Sequence, residues 1–285
     1  MKDDRVDERS FIKLILRLVQ ADVDSITVLG STGSYMYLNR EERGRVARLA
    51  VQHAGEIPVL VGVGALRTSQ VLEHIDDAQA VGATALLLAP VSYQKLNDNE
   101  VFELFQTVTH HTDLPVVLYD NPATTHFSFS IELYERIARL PGIVSIKIPG
   151  VLSDPKSAKA HVDAIRKVIP NHVSIGVSGD VSGAAGLIAG CDLWYSVLGG
   201  TLPDPVLDIV RAAQCEKSGN PVDLSNHLDP VWDLFAEYGG SLRVTAAIAE
   251  HLGLVNPHSL PLPVQGLSVE QRKRVIQVVD DLSLR

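Results

Sequence analysis

Seven short runs of apolar, largely β-branched residues recur along this 285-residue chain, separated by longer stretches with helical spacing of apolar positions. The runs are Ser25–Leu29, Pro58–Val63, Ala83–Ala89, Pro115–Tyr119, Ile143–Ile148, Val173–Val177 and Asp192–Val197. The amphipathic stretches between them include Glu41–His53, Ser69–Val81, Asn99–His110, Ile131–Arg139 and Ser157–Ile169. A strand that is apolar on both faces must be covered on both faces, and strands alternating with helices pair in parallel through helical crossovers. The alternation therefore predicts an α/β protein with a parallel sheet under helices.

An open, nucleotide-binding sheet calls for a G-x-G-x-x-G turn after its first strand. The turn here, Gly30-Ser31-Thr32-Gly33, lacks that spacing. Polar or glycine-rich residues instead follow nearly every run, as in Gly62–Gly64, Asp120-Asn121-Pro122, Ser178-Gly179-Asp180 and Gly199-Gly200. A site assembled from many strand ends is the plan of a (β/α)8 TIM barrel. The count is one strand short, because Ser10–Ala21 reads as a helix and the residues before it are polar. An open sheet would leave two strand edges unpaired. We therefore expect the first barrel strand to be absent from this chain, lying before Met1. After Gly200 the chain reads as the helices Asp204–Lys217, Val222–Glu237, Leu242–Leu252 and Val269–Leu282, the last joined through Pro257–Pro263. The expected division is a barrel over 1–200 and a C-terminal helical domain over 201–285.

Apolar residues make up 46% of the chain and charged residues 21%, enough for a large core. Net charge is −9 and no basic run is present, which argues against nucleic acid or anionic lipid as partner. No apolar run reaches membrane-helix length, and Met1-Lys2-Asp3-Asp4-Arg5 lacks the apolar core of a signal peptide. Cys191 and Cys215 have no metal-type spacing and suit a reducing, cytoplasmic setting. His110-His111 and His251 fall in helical stretches without ligand spacing, so no metal is expected. There is no P-loop, and no cofactor is expected.

One residue stands out against this background. In Gly142-Ile143-Val144-Ser145-Ile146-Lys147-Ile148-Pro149-Gly150 a lysine sits inside an apolar strand. Its stem can lie along apolar surface with the charge in water, it can form a buried ion pair, or it can be held neutral as a nucleophile. The strand alone does not choose among these.

Three motifs together do. Gly30-Ser31-Thr32-Gly33, Leu118-Tyr119-Asp120-Asn121-Pro122 and Ile146-Lys147 resemble, in order and spacing, the signatures of the dihydrodipicolinate synthase and N-acetylneuraminate lyase family. The similarity runs from about Arg5 to the C-terminus. It implies a (β/α)8 barrel with a C-terminal helical domain, usually a homotetramer built as a dimer of dimers. It also implies that Lys147 forms a Schiff base with pyruvate or a similar 2-oxo acid, for condensation with, or cleavage from, an aldehyde. By the same resemblance Tyr119 is the proton shuttle and Ser31 its hydroxyl partner. Ser31, Thr32 and Gly33 would hold the substrate carboxylate, for which turn amides and hydroxyls form a suitable anion site. A tyrosine after the third strand reaches a neighbouring subunit's site in relatives. Within Ala89-Pro90-Val91-Ser92-Tyr93-Gln94 either Ser92 or Tyr93 could hold that position.

A free lysine with a pKa of roughly 10.4 is neutral in only about one molecule in a few thousand at pH 7, a gap of roughly 4–5 kcal/mol that burial can narrow. The chain also departs from its relatives. Ser34 stands where many carry glutamate, and Ile148 where an acidic residue is common. Thr124 stands where dihydrodipicolinate synthases usually carry an arginine for the carboxylate of aspartate semialdehyde, and threonine offers no cationic fork. The sequence thus points to a Schiff-base lyase or aldolase, with a true 4-hydroxy-tetrahydrodipicolinate synthase and a sugar-acid dehydratase or lyase as alternatives within the enzyme class. A non-catalytic 2-oxo-acid sensor is the alternative outside it.

Overall fold

The structure, a computed structural model, describes residues 1–215 and 218–285. Seven parallel strands lie side by side in chain order: β1 (Ile26–Val28), β2 (Val59–Gly62), β3 (Ala85–Leu88), β4 (Val116–Tyr119), β5 (Ile143–Ile148), β6 (Ser174–Val177) and β7 (Leu193–Trp194). Helices α1 (Glu8–Gln20), α2 (Arg40–His53), α3 (Thr68–Ala80) and α4 (Asp98–His111) precede or link the first four strands. Short α5 (Pro122–Thr125) and α6 (Ile131–Ala138) follow β4, and α7 (Pro155–Val168) and α8 (Gly183–Ala189) follow β5 and β6. The result is the curled sheet and helical coat of a TIM-barrel-like α/β fold, as the alternation predicts.

The helix boundaries have local causes. Asn39 and Asn97 close capping boxes with Glu42 and Glu100 at the starts of α2 and α4, satisfying amides that the helix itself leaves free. Asp154 caps α7 just before Pro155, which suits a first helical position because it has no N–H to lose.

Alternation along the strands divides the core into two layers. Val59, Val61, Leu86, Leu88, Val116, Leu118, Ile146, Ile148, Ile175 and Val177 pack outward beneath the helices. Leu60, Ala85, Leu87, Ala89, Val117 and Tyr119 form the inner cluster, with Tyr195 packed against it.

No strand precedes β1 among the described residues, and the Lys2–Arg5 bridge lies outside the sheet. β1 and β7 end the strand order. On that side Arg17 Nε of α1 donates to the Thr201 carbonyl at 2.8 Å, tying the amino-terminal helix to the chain beyond β7.

Three expectations need correction, and one helix is unexpected. The last strand is shorter than Asp192–Val197, because the amides of Val197 and Leu198 donate to the Asp180 carboxylate at 3.0 and 2.7 Å instead of extending the ladder. Val222–Glu237 is two helices, α10 (Pro221–His227) and α11 (Asp229–Glu237). Pro230 has no N–H to continue α10, and Trp232 Nε1 bonds the Ser225 carbonyl at 3.0 Å across the break. Helix α8 carries no amphipathic signature in Gly-Ala-Ala-Gly-Leu-Ile-Ala and is not predicted from the sequence. Finally, α9 (Pro203–Gln214) ends before the expected Lys217, which lies outside the described residues. Helices α12 (Ser241–His251) and α13 (Val269–Asp281) complete the chain. The last helices share a second core around Ile209, Val231, Trp232, Val244, Ile248 and Val275.

Candidate active site

Lys147 and Tyr119 are paired across β5 and β4, and an irregularity in the sheet puts them on one face. The ladder matches Val116 with Ile143 but Val117 with Ser145, so Val144 is an extra residue bulged between them. Without that bulge Ile146 would lie beside Tyr119 and Lys147 would point outward, since a one-residue slip exchanges the two faces. With it, Ser145 and Lys147 face the barrel axis while Ile146 and Ile148 remain in the outer layer.

Lys147 is 9% exposed. Its Nζ lies 3.9 Å from the centroid of the Tyr119 ring and 5.2 Å from that of Tyr195. Burial pulls its pKa down to about 8, opposed by the nearby Asp180 carboxylate. Asp180 is also buried and its own pKa is raised by desolvation, against the hydrogen bonds from Leu198, Val197 and Ser196 and the charge of Lys147. No hydrogen bond joins the two groups among the described residues. The lysine thus has aromatic faces for close neighbours, which by themselves favour its charged form, and it is burial that favours loss of its proton.

Tyr195 reaches the lysine because the neighbouring strand has no side chain in the way. Gly176 is the residue opposite Lys147 on β6. A Cβ at Gly176 would lie 2.3 Å from the Tyr195 ring. The Tyr195 hydroxyl donates to Ser145 Oγ at 3.2 Å, and burial pushes its pKa up to about 12.

The first turn is built as tightly. Leu29 follows β1 with a φ of 58°, a left-handed conformation that is costly for a bulky residue. Its carbonyl lies where a Cβ of residue 62 would be, 1.8 Å away, so only glycine fits at Gly62. The strained step turns the chain into Gly30–Gly33. Ser31 and Thr32 are half-buried and Gly33 is exposed. The amides of Thr32 and Gly33 are not taken by any backbone carbonyl of the described residues.

One amide ties this turn to the phenol. Asn121 Nδ2 donates to Tyr119 Oη at 2.9 Å and to Ser31 Oγ at 3.0 Å. Burial raises the Tyr119 pKa, the Ser31 hydroxyl lowers it and Asp120 raises it further. Asp120 itself is buried behind β4, where it accepts from the Tyr134 hydroxyl at 2.6 Å and its pKa is raised by desolvation to about 6. Its other oxygen has no partner among the described residues.

Of the residues singled out from sequence, Lys147, Tyr119 and Ser31 come together, with Thr32 and Gly33 in the same turn. Thr124 is exposed on α5, where its hydroxyl reaches only as far as the Asn121 carbonyl at 3.5 Å. Tyr93 is 90% exposed and Ser92 half-buried, and neither takes part in these contacts within one chain. Sequence reasoning missed Tyr195, Asn121 and Tyr35. Tyr35 is buried after the first turn, with the Arg43 guanidinium 5.1 Å from its ring centroid and its pKa raised by burial to about 12. The polar strand ends Asp120-Asn121-Pro122 and Ser178-Gly179-Asp180 were the available signal for two of the neighbours, Asn121 and Asp180. Nothing in the sequence marks Tyr195 as facing inward. Among the described residues no group of three or more His, Cys, Asp or Glu side chains could hold a metal ion.

A curled parallel sheet with a buried lysine, a phenol beside it and a glycine-bounded hydroxyl turn at its carboxyl end defines a barrel lyase of the aldolase kind. The chain belongs to the Dihydrodipicolinate synthetase family, whose model matches residues 1–282. A crystal structure described as dihydrodipicolinate synthase from Agrobacterium tumefaciens is 42% identical, with a TM-score of 0.92, over 98% of this chain and 93% of that one. The 4-hydroxy-tetrahydrodipicolinate synthase of Hyphomonas neptunium is 37% identical over 147 residues, which are 51% of this chain and 50% of that protein. The protein of the same name from Methylococcus capsulatus is 28% identical over 97% of this chain and 93% of its own length.

Proposed function

We propose that the protein is a Schiff-base lyase or aldolase that takes pyruvate or a similar short 2-oxo acid as its electrophile. The observation that carries this is the setting of Lys147, buried, close to the Tyr119 ring and with its pKa near 8. A neutral Nζ attacks the C2 carbonyl carbon, and the carbonyl oxygen takes a proton from Tyr119. That oxygen leaves as water with a second proton passed from Nζ, which leaves a cationic imine opposite the Tyr119 phenolate. The cationic imine draws electrons from C3, so a C3 proton passes to that phenolate, restoring the phenol, and an enamine forms. The enamine carbon adds to an aldehyde carbon while the aldehyde oxygen is protonated, again through Tyr119. Addition of water to the new imine frees the product and returns Lys147 to its amine. Cleavage is the same sequence reversed.

Ser31, Thr32 and Gly33 are assigned to the substrate carboxylate, with amides and hydroxyls in place of a cation. The barrel, over 1–200, carries this chemistry and 201–285 buttresses it. A homotetramer in the cytoplasm is the assembly we assign. The exposed Tyr93, Leu66, Met36 and Tyr37 are apolar surface that a second copy would cover. No helix of the described residues is long and apolar enough to cross a membrane.

The names of the relatives favour a second reading, 4-hydroxy-tetrahydrodipicolinate synthase itself. Thr124 opposes it, since an exposed threonine offers no cation to the carboxylate of aspartate semialdehyde. The test is a panel assay of pyruvate with aldehydes, and of hydroxylated 2-oxo acids for pyruvate release. We expect turnover with uncharged or hydroxylated partners and poor turnover with aspartate semialdehyde, improved at least tenfold by Thr124→Arg. Efficient wild-type condensation with aspartate semialdehyde would establish the second reading, and no turnover or binding of any 2-oxo acid would remove both.

A further inference from the structure

Asn121 occupies a position that the three sequence motifs leave without a role. Its side chain is half-buried, and its amide nitrogen touches both the phenol of β4 and the hydroxyl of the first turn. We infer that Asn121 is a positioning residue that aims the protons of Tyr119 and Ser31 toward the reacting carbon at Lys147. An amide nitrogen can only donate. With one N–H hydrogen directed to Tyr119 Oη at 2.9 Å and the other to Ser31 Oγ at 3.0 Å, both oxygens serve as acceptors toward Asn121. Each hydroxyl keeps its own proton for another acceptor, which is either the neighbouring hydroxyl, given the pull of Ser31 on the Tyr119 pKa, or a substrate oxygen. The Tyr119 ring lies 3.9 Å from Lys147 Nζ, so a substrate oxygen released at the lysine is within the reach of that proton. An amide turned the other way would accept from both hydroxyls and withdraw both protons from the substrate.

The inference rests on the Schiff-base reading and is tested so that the two can fail separately. The probe is pyruvate with cyanoborohydride, and the readout is the rate at which a reduced adduct accumulates on the Lys147 peptide across a pH series. The titratable groups linked to this network are Tyr119, which accepts from Asn121; Asp120 and Tyr35, whose charges interact with Tyr119; Lys147 beside the Tyr119 ring; and Asp180 and Tyr195, which interact with Lys147. All are shared by variant and wild type, so the ratio of their rates at each pH reports the substituted side chain. Asn121→Asp keeps size and replaces two donors by acceptors. Its rate is expected to fall at least tenfold below wild type at pH 8 and to recover part of the loss as pH falls and the new carboxyl gains a proton to donate. Asn121→Leu, which offers no donor at any pH, is expected to show a similar loss with no recovery. A role in packing alone predicts a ratio that does not vary with pH.

An Asn121→Asp rate within twofold of wild type, or a ratio flat with pH, overturns the inference. If Asn121→Asp fails to fold, a folded Asn121→Leu that traps within twofold of wild type overturns it, and a tenfold loss supports it. Absence of any adduct in the wild-type protein, with pyruvate or other short 2-oxo acids, instead removes the Schiff-base reading.

Discussion

The proposed chemistry rests on a single ammonium group whose charge is costly to bury. Burial moves the Lys147 pKa from 10.5 to about 8, below its value in the unfolded chain. Between those limits the unfolded state binds more protons, so stability rises with pH from about 8 to about 10.5. Below that range the buried charge costs roughly 3 kcal/mol, from the size of the shift. Lys147→Met is therefore expected to abolish turnover while raising the melting temperature at pH 7 and flattening the rise between pH 8 and 10.5. Thermal melts across pH check both. Tyr119→Phe keeps the ring beside Lys147 and removes the proton, and is expected to slow turnover by about 10²–10⁴-fold with little change in melting temperature. At this scale the sequence was informative where chemistry and motif coincide, at Lys147, Tyr119 and Ser31. It was silent at Tyr195, whose inward direction follows from the shape of β7.

At the scale of elements, the strand runs and most helices could be read from apolar spacing, because each buries one stripe or two faces. The exceptions share a cause: a tertiary partner replaces the local pattern. Asp180 takes amides that would have lengthened β7, and Pro230 divides a continuous amphipathic run. The Val144 bulge is illegible for a different reason, since β5 is apolar on both sides and either register looks acceptable in sequence. Yet the bulge decides which face carries the lysine. Gly176 is the complementary device on β6. Gly176→Ala is expected to cost about 1–3 kcal/mol, because the new methyl group overlaps the Tyr195 ring. It should also lower turnover more than it lowers stability, since Tyr195 is pushed toward Lys147. A denaturant titration with parallel kinetics tests this, and a variant with full activity and unchanged stability would show that the ring has room to move.

For the whole molecule, the sequence made the barrel, its helical coat and the strand count legible, while the neighbours that tune the site emerged only from the fold. Two buried groups bend the pH dependence of stability in opposite senses. The folded-state pKa of Asp120 is raised from 3.8 to about 6, so its favourable contribution is complete below the lower value and is lost as pH passes the upper one. Asp120→Asn is accordingly expected to leave stability unchanged near pH 4 and to increase it above pH 6. With Lys147 regaining stability only above about pH 8, these two groups together place a minimum between about pH 6 and pH 8.

The account as a whole depends on the Lys147 amine forming a covalent bond to a keto carbon. The direct measurement is borohydride reduction in the presence of pyruvate, followed by peptide mass mapping of the intact 285-residue chain. A reduced pyruvyl adduct on the peptide containing Lys147, absent from Lys147→Met, is the predicted result. An unmodified Lys147 with pyruvate and with other short 2-oxo acids, or an adduct confined to a different lysine, would contradict it.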